Sequence, residues 1–180
     1  MSTAFLVLSK SPELIRWSAN DGYSDEVSSF YAFDDSVKNS RHLQLGTRIF
    51  LRLDDLVVGT GLVTGLDTRA ARKRLIKCPK CRRTALTGTR HGFTCNFCKE
   101  HHDERDMVIE EVETVATRAW YKNTWQPAQN PLHKLQAEFY LATKDKQSSI
   151  RRVEQSKVEA LIEALRCDSS GVNPSKFNFD

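Results

Sequence analysis

The sequence lacks a long hydrophobic run, and its first apolar stretch, residues 4–8, is short. A membrane-spanning helix needs about 20 apolar residues, and a secretory signal peptide needs a basic leader before its apolar core. The sequence offers neither of these features. We therefore expect a protein without a membrane span that is located in the cytoplasm.

Motifs of the common catalytic sites are also missing. Gly59, Gly61 and Gly65 have the spacing G-x-G-x-x-x-G with no Lys-Ser/Thr after them, so they do not predict a phosphate loop. An HNH nuclease would place its catalytic histidine between two cysteine pairs, whereas His101 and His102 follow the second pair. No catalytic triad or carboxylate pair stands out. We therefore predict that the protein is not an enzyme.

Cysteine is scarce, with five in the chain, but four of them form two close pairs. Cys78 and Cys81 form one Cys-x-x-Cys, and Cys95 and Cys98 form a second, which residues 82–94 separate from the first. Two such pairs predict a tetrahedral zinc site that is closed by protein ligands, which is the structural kind. A redox dithiol or two disulfides is the alternative. Cys167 has no such partner, and a free thiol beside zinc thiolates favours a reducing compartment.

Acidic residues are missing from residues 69–90, which carry nine cations. These cations are Arg69, Arg72, Lys73, Arg74, Lys77, Lys80, Arg82, Arg83 and Arg90. Some would offset the charge of the thiolates, and the rest suit a phosphate backbone, although a solvated surface is the simpler interpretation. Seven acids follow within residues 100–113, which predicts one face for a polyanion and another that avoids it.

Short strand patterns dominate what is left of the sequence, so we predict an α+β fold that is mostly β. The expected strands cover residues 3–9, 28–33, 47–53, 56–66, 107–117 and 134–142, and a short helix is the alternative for the last of these. Residues 148–166 predict one late helix with Val153, Val158, Leu161, Ile162 and Leu165 on a single face. Ser, Gly, Asn and Pro make residues 168–180 a predicted flexible tail or linker.

The glycines at positions 59, 61 and 65 recur with period two along a predicted strand. Glycines in that pattern indicate strong curvature or the close approach of another element, as in a small barrel. The expected architecture is a small β-barrel with flanking helices and an inserted zinc-ribbon-like hairpin. Residues 1–167 would form this one domain, interrupted at about residues 75–102 by the hairpin.

The order of these elements resembles the PUA-like superfamily, in particular EVE and ASCH domains. The starting strand runs into Trp17-Ser18-x-Asn20, and residues 37–50 read VKNSRHLQLGTRIF before the glycine-rich strand, with Thr47 where relatives commonly have Asp. The resemblance covers residues 3–66 and, more loosely, 107–166. A four-cysteine hairpin inside such a domain is similar to specificity domains of modification-dependent HNH restriction endonucleases, and to stand-alone methylated-DNA-binding proteins.

This resemblance implies a module that reads a modified base in double-stranded DNA, such as 5-methylcytosine, by flipping it into an aromatic pocket. All three tryptophans fall in polar loops, which suits a pocket better than a core. From their positions, the predicted pocket residues are Trp17, Ser18, Asn20, Asp21, Tyr31, Trp120, Trp125 and Gln126. The predicted phosphate contacts are Asn39, Arg41, Arg69, Arg72, Lys73, Arg74, Lys77, Arg82, Arg83 and Arg90.

Two other functions remain open at this point. PUA and ASCH relatives often read RNA, and the sequence does not separate DNA from RNA. A zinc-ribbon module could instead bind a protein, with the acidic block as its contact surface. In the DNA-binding hypothesis, a nuclease domain or partner could act with the module in cis or in trans.

Overall fold

A computed structural model describes residues 3–11, 23–143 and 148–166. Trp17, Ser18, Asn20 and Asp21 of the predicted pocket, Cys167 and the predicted tail lie outside these residues. The described residues are mostly strand, with two short helices, as the composition predicted. No helix among them is both long enough and apolar enough to cross a membrane.

Eleven strands and two α-helices make up the described fold. The strands are β1 (Ala4–Ser9), β2 (Phe30–Asp34), β3 (Arg48–Leu53), β4 (Leu56–Leu62), β5 (Gly65–Lys77), β6 (Leu86–Thr89), β7 (Gly92–Cys95), β8 (His101–His102), β9 (Val108–Trp120), β10 (Gln126–His133) and β11 (Ile150–Arg152). The helices are α1 (Lys134–Ala137) and α2 (Val158–Arg166).

These strands form three sheets. The largest has the order β10-β4-β3-β1-β11, in which β1 and β3 run parallel and the other pairs are antiparallel. The second sheet has the order β2-β9-β5. The third sheet has the order β6-β7-β8, and its strand β7 ends at Cys95, the first residue of the second cysteine pair. The described strands form packed sheets and no closed barrel. The small barrel predicted from the glycine pattern is therefore not observed among them.

The largest sheet is buried on both faces. Leu6 and Phe50 pack with Leu161 and Ile162 of α2 on one face. On the other face, a second cluster joins its inward side chains to those of the β2-β9-β5 sheet. Because both faces are covered, Ile49, Phe50 and Leu51 are consecutive and all fully buried, whereas alternation along the strand would have left one of them exposed.

Two predicted elements at the end of the chain are different in the structure. Residues 134–142, predicted as a strand, form α1 and a following 3₁₀ turn, because the His133 side chain and Gln136 cap the helix start reciprocally. The long helix predicted over residues 148–166 begins only at Val158, since residues 150–152 pair with β1 as β11. Four residues of the predicted apolar face, Val158, Leu161, Ile162 and Leu165, are buried on the helix, whereas the fifth, Val153, is buried before the helix in a bridge to Leu141.

β5 and β9 form a long antiparallel ribbon that carries the cysteines. Their pairing is continuous from Gly65 opposite Trp120 to Lys77 opposite Val108. The intervening residues 78–107 form a separate unit, here called the cysteine lobe, with its own small core of Cys78, Leu86, Cys95 and Met107. The cysteine lobe is therefore an insertion at the tip of a two-stranded stem.

Candidate metal centre and basic groove

The cysteine lobe brings the four predicted ligands together. All four Sγ atoms lie within 4.8 Å of one another, with Cys78 Sγ 3.6 Å from Cys98 Sγ and Cys81 Sγ 3.5 Å from Cys95 Sγ. Four sulfurs about 2.3 Å from one tetrahedral ion would be separated by about 3.8 Å. The cluster thus has the donors and the size of a four-thiolate site, and it is compatible with zinc.

The two cysteine pairs sit on turns of the same geometry. In the first turn, the Arg82 N–H donates to the Cys78 carbonyl, and in the second the Lys99 N–H donates to the Cys95 carbonyl, both at 2.9 Å. Arg82 and Lys99 both have positive φ, 61° and 63°, a conformation that non-glycine residues rarely adopt. Two independent segments share this strained turn, which indicates that both are shaped to aim their sulfurs at one point.

The backbone also prepares at least one sulfur for metal binding. Hydrogen bonds from the backbone of Cys98 and Phe97 lower the pKa of the Cys95 thiol to about 6, and they outweigh the opposing effect of burial. Metal ions bind the thiolate and not the thiol. The cluster therefore favours the thiolate at Cys95, whereas, against a backbone hydrogen bond from Glu100, burial and the neighbouring cysteines raise the pKa of Cys98 to about 11.

The second feature of interest is a groove on the outer face of the β2-β9-β5 sheet, with a volume of about 330 Å³. Five cations and two acids line this basic groove, which gives its lining a formal net charge of +3. The cations are Arg69, Arg72, Lys73, Arg74 and Arg118, and the acids are Asp34 and Asp67. The register places Arg69, Lys73 and Arg118 on the groove face of the β5-β9 ribbon, whereas Arg72 and Arg74 occupy the alternate positions of β5, whose side chains point to the other face.

One ion pair anchors the wall of the groove. Lys73 Nζ lies 2.8 Å from Asp34 Oδ2 and 2.8 Å from the Tyr23 hydroxyl oxygen, and the Tyr23 hydroxyl donates to the same carboxylate at 2.7 Å. Burial alone would raise the pKa of Asp34, but hydrogen bonds from Lys73, Ser36 and Tyr23 hold it below its ordinary value. Lys73 is therefore occupied with holding Tyr23 and β2 against β5.

Not all of the basic run is available to a ligand. The register places Arg72 opposite Glu113 and Arg74 opposite Glu111 on the stem. Lys77 pairs with Glu110, and Lys80 pairs with Glu100. The predicted separation into a basic face and an acidic face is therefore wrong for the stem, because the acidic β9 is the partner strand of the basic β5.

Arg69 and Arg118 differ from these neighbours. Arg69 is exposed and lies opposite Ala116, and Arg118 lies opposite Asp67, whose carboxylate accepts a hydrogen bond from Trp120 Nε1 at 2.6 Å. Within the described parts of the chain, neither arginine forms an ion pair. These two side chains are the groove cations best placed to meet an anion.

The predicted aromatic pocket does not assemble from the described residues. Tyr31 is 1% exposed within the core, and Trp125 packs against Tyr121 and against the backbone of Gly59, so both are corrections to the predicted pocket. Gln126 lies on β10, where its side chain accepts from Arg166. Only Trp120 lies on the groove side, where its ring packs on Phe30 at 4.8 Å between centroids.

The other predicted phosphate contacts are dispersed. Asn39 donates from its side-chain amide to the Ile150 carbonyl at 2.8 Å, which is an internal link that a ligand would have to break. Arg41 and Arg90 are exposed away from the groove lining. Arg82 and Arg83 belong to the first cysteine turn, where Arg83 stacks over the exposed Phe97 ring at 3.5 Å.

Four residues in or beside the groove were not predicted from the sequence. Tyr23, Phe30, Asp34 and Arg118 were not among the predicted site residues, yet the structure places them in or beside the groove. Arg118 lies over the Phe30 ring at 4.9 Å. The alternation of Arg118 and Trp120 along one strand was the available signal, since residues two apart share a face.

Comparisons with known proteins give no assignment: no family model, no curated protein and no solved structure matches the chain.

Proposed function

We propose that the chain is a nucleic-acid-binding module, and that it reads a modified base of the 5-methylcytosine type in double-stranded DNA. The observation that carries the proposal is the basic groove, in which unpaired arginines and aromatic rings share one face of a sheet. The module has no catalytic role in this proposal. A nuclease domain or partner would supply cleavage in a restriction system, in cis or in trans, in the cytoplasm.

The groove cations supply the affinity for the backbone. Arg69 and Arg118 lie on the same face of the β5-β9 ribbon, on opposite strands, so they could engage neighbouring phosphates. Each neutralised phosphate releases counterions, which makes the binding fall with salt. Arg69 and Arg118 support this role better than the whole basic run does, because acids on β9 lie opposite Arg72 and Arg74 and Lys73 is paired with Asp34.

The aromatic residues supply the site for a base. Beside the groove, the Phe30 and Trp120 rings are tilted at 56° to each other and the Arg118 guanidinium lies over the Phe30 ring, while Tyr23 forms part of the groove wall. Extruding a base costs a few kcal/mol, and stacking on aromatic rings returns about 1–3 kcal/mol per base.

The metal in this proposal is Zn²⁺, and its role is structural. The four cysteines fill a tetrahedral shell, which leaves no open position for a substrate or a water molecule. Bound zinc would hold the cysteine lobe together at the tip of the stem.

One observation favours a second candidate function, a protein-interaction module. Phe97 is 57% exposed on the cysteine lobe, and Arg83 stacks on it, so the lobe presents an aromatic and a cation to solvent. RNA remains an alternative ligand for the groove, since stacking and phosphate contacts serve single strands as well.

Removing the two available groove arginines tests the proposal. We expect Arg69→Ala with Arg118→Ala to weaken binding to every duplex and to lower the slope of log K against log salt by about 2, because two phosphate contacts are lost. The measurement is equilibrium binding to one duplex, and to a single-stranded RNA of matched length, across a salt series.

The matched control is Arg166→Ala, which removes an exposed arginine on α2 that bonds only to Gln126 among the described residues. It should leave the slope unchanged. An unchanged slope in the double variant would exclude the groove from the interface, and stronger binding to RNA than to the duplex would favour the RNA alternative.

A further inference from the structure

His102 lies beside the four cysteines although it belongs to neither Cys-x-x-Cys pair. β8 pairs with β7, with His102 opposite Phe93, and this pairing returns the chain to the cysteine cluster. His102 Nε2 lies 3.4 Å from Cys78 Sγ, within hydrogen-bond distance for a sulfur. The imidazole therefore contacts the candidate metal centre at one particular cysteine.

The neighbouring His101 has a different environment. Its Nδ1 lies 3.4 Å from Thr94 Oγ1, and its side chain is exposed, whereas His102 is half-buried. Successive side chains of a strand point to opposite faces, so only one of the two histidines can face the cysteines. His101 is consequently a built-in control for any effect of His102.

A second group of metal-binding atoms overlaps the first. Cys98, Glu100 and His102 also offer ligand atoms that all lie within 4.8 Å of one another. Cys98 and His102 are separated by three residues, which falls within the spacing that many zinc sites use between their second pair of ligands. The Cys78–Cys98 side of the cluster therefore has an additional donor close by.

We propose that His102 is a fifth member of the metal centre, on the assumption that the zinc site proposed above exists. With all four thiolates in place, the imidazole donates a hydrogen bond from Nε2 to the Cys78 sulfur and holds it in position. When the Cys78 sulfur is missing, the ring proton of neutral His102 is carried on Nδ1, and the unprotonated Nε2 takes the place of the sulfur as the fourth ligand. The exchange replaces a thiolate with a neutral nitrogen, so it removes one negative charge from the site.

The four cysteines differ in how close they lie to the His102 imidazole. His102 adjoins Cys78, which lies 3.6 Å from Cys98, whereas Cys81 and Cys95 form the other close pair. Loss of Cys78 would thus leave a tetrahedral Cys₃His set, which is a common structural zinc site. Loss of Cys81 would leave three thiolates, and among the residues that the structure describes no histidine is found in hydrogen-bond contact with Cys81.

The test compares the full-length chain with Cys78→Ala and Cys81→Ala. Metal content after dialysis and competition with a chelator of known affinity are measured with Zn²⁺, and the absorption spectrum is measured with Co²⁺ in its place. We expect Cys78→Ala to retain one metal per chain and to show a cobalt spectrum changed by a nitrogen ligand. Cys81→Ala should bind at least about tenfold more weakly than Cys78→Ala.

Adding a histidine substitution to Cys78→Ala identifies the replacing ligand. His102→Ala should abolish the retained metal, whereas His101→Ala should leave it. Equal metal loss in Cys78→Ala and Cys81→Ala, or equal effects of the two histidine substitutions, would overturn the proposal.

A separate measurement covers the case in which Cys78→Ala does not fold. In the otherwise unchanged chain, His102→Ala should lower the zinc affinity by about 10–100-fold through the lost hydrogen bond, and His101→Ala should not change it. Equal affinities for the two single variants would overturn the proposal. A wild-type chain that holds no zinc would refute the proposed zinc site itself, and this is measured before any variant.

Discussion

Replacing Cys95 by alanine is expected to unfold the cysteine lobe and to leave the remaining sheets folded. Cys95 is fully buried, lies on the side of the cluster away from His102, and bonds through its backbone to Glu100 and Lys99. The lobe's core is small, since only Cys78, Leu86, Cys95 and Met107 are buried in it. Structural zinc contributes about 10–16 kcal/mol of apparent binding free energy in small peptides, so a lobe without metal should not remain folded.

Hydrogen exchange measured along the chain checks this expectation. Amides of residues 78–107 should lose their protection in Cys95→Ala, and those of β1, β3 and β4 should keep theirs, because the two main cores contain no residue of the lobe. Phe97→Ala is the matched control, as Phe97 is exposed in the same turn and offers no ligand. A variant without metal whose lobe keeps full protection would refute a structural role for the cysteines.

The second large effect is expected from Lys73→Met. Asp34 has a side chain that is only 3% exposed, and Lys73 is its charged partner. Removing one partner of a buried pair leaves an uncompensated charge, which we expect to cost about 3 kcal/mol of unfolding free energy at pH 7. The measurement is urea denaturation, with Arg74→Met as the control that removes an exposed cation from the next position.

The pH dependence distinguishes a lost ion pair from lost packing. The pKa of Asp34 is held below its ordinary value in the wild type, so its stabilisation is present above the unfolded pKa and is lost as the pH falls through the folded pKa. In Lys73→Met, burial dominates and Asp34 protonates more easily. The difference in unfolding free energy between the two proteins should therefore shrink towards acid pH.

A double substitution completes this test. Asp34→Asn combined with Lys73→Met removes both charges, so it should be more stable than Lys73→Met alone. A difference that is the same at every pH, or a double variant that simply adds the two single losses, would mean that the ion pair contributes little.

The local features of this protein were readable from its sequence. The spacing of Cys78, Cys81, Cys95 and Cys98 predicted their cluster because two tight turns joined by a hairpin leave few other arrangements. The period of the glycines predicted a close approach, and Gly59 and Gly61 do meet Trp125 and Tyr121. A Cβ at position 59 would lie only 2.5 Å from the Trp125 ring.

The features that depend on pairing between strands far apart in the sequence could not be predicted from the sequence. The register that sets Glu111 and Glu113 against Arg74 and Arg72 is determined by two strands whose paired residues are up to 55 positions apart, as for Gly65 and Trp120. Polar neighbours placed Trp125 in a loop and suggested a pocket, but the missing side chain of Gly59 leaves room for the ring to pack against the core. Local composition could not supply either fact.

The remaining features that the sequence did not predict depend on tertiary contacts of the largest sheet. Phe50 lies between Ile49 and Leu51 on β3, and all three are fully buried because α2 covers the Phe50 face of the sheet while the second cluster covers the other. Residues 150–152 carry two arginines and gave no strand pattern, but their pairing with β1 closes the edge of the sheet. Tertiary contacts overrode the local signal in both places.

The most direct test of the central claim is equilibrium binding to matched DNA duplexes, one unmodified and one with a single 5-methylcytosine or 5-hydroxymethylcytosine, across a salt series. A module that stacks a modified base in the groove should prefer one modified duplex, and the preference should persist at high salt because base contacts do not depend on counterion release. Equal binding to all duplexes that disappears with salt would contradict the claim, since only the phosphate contacts would then be engaged.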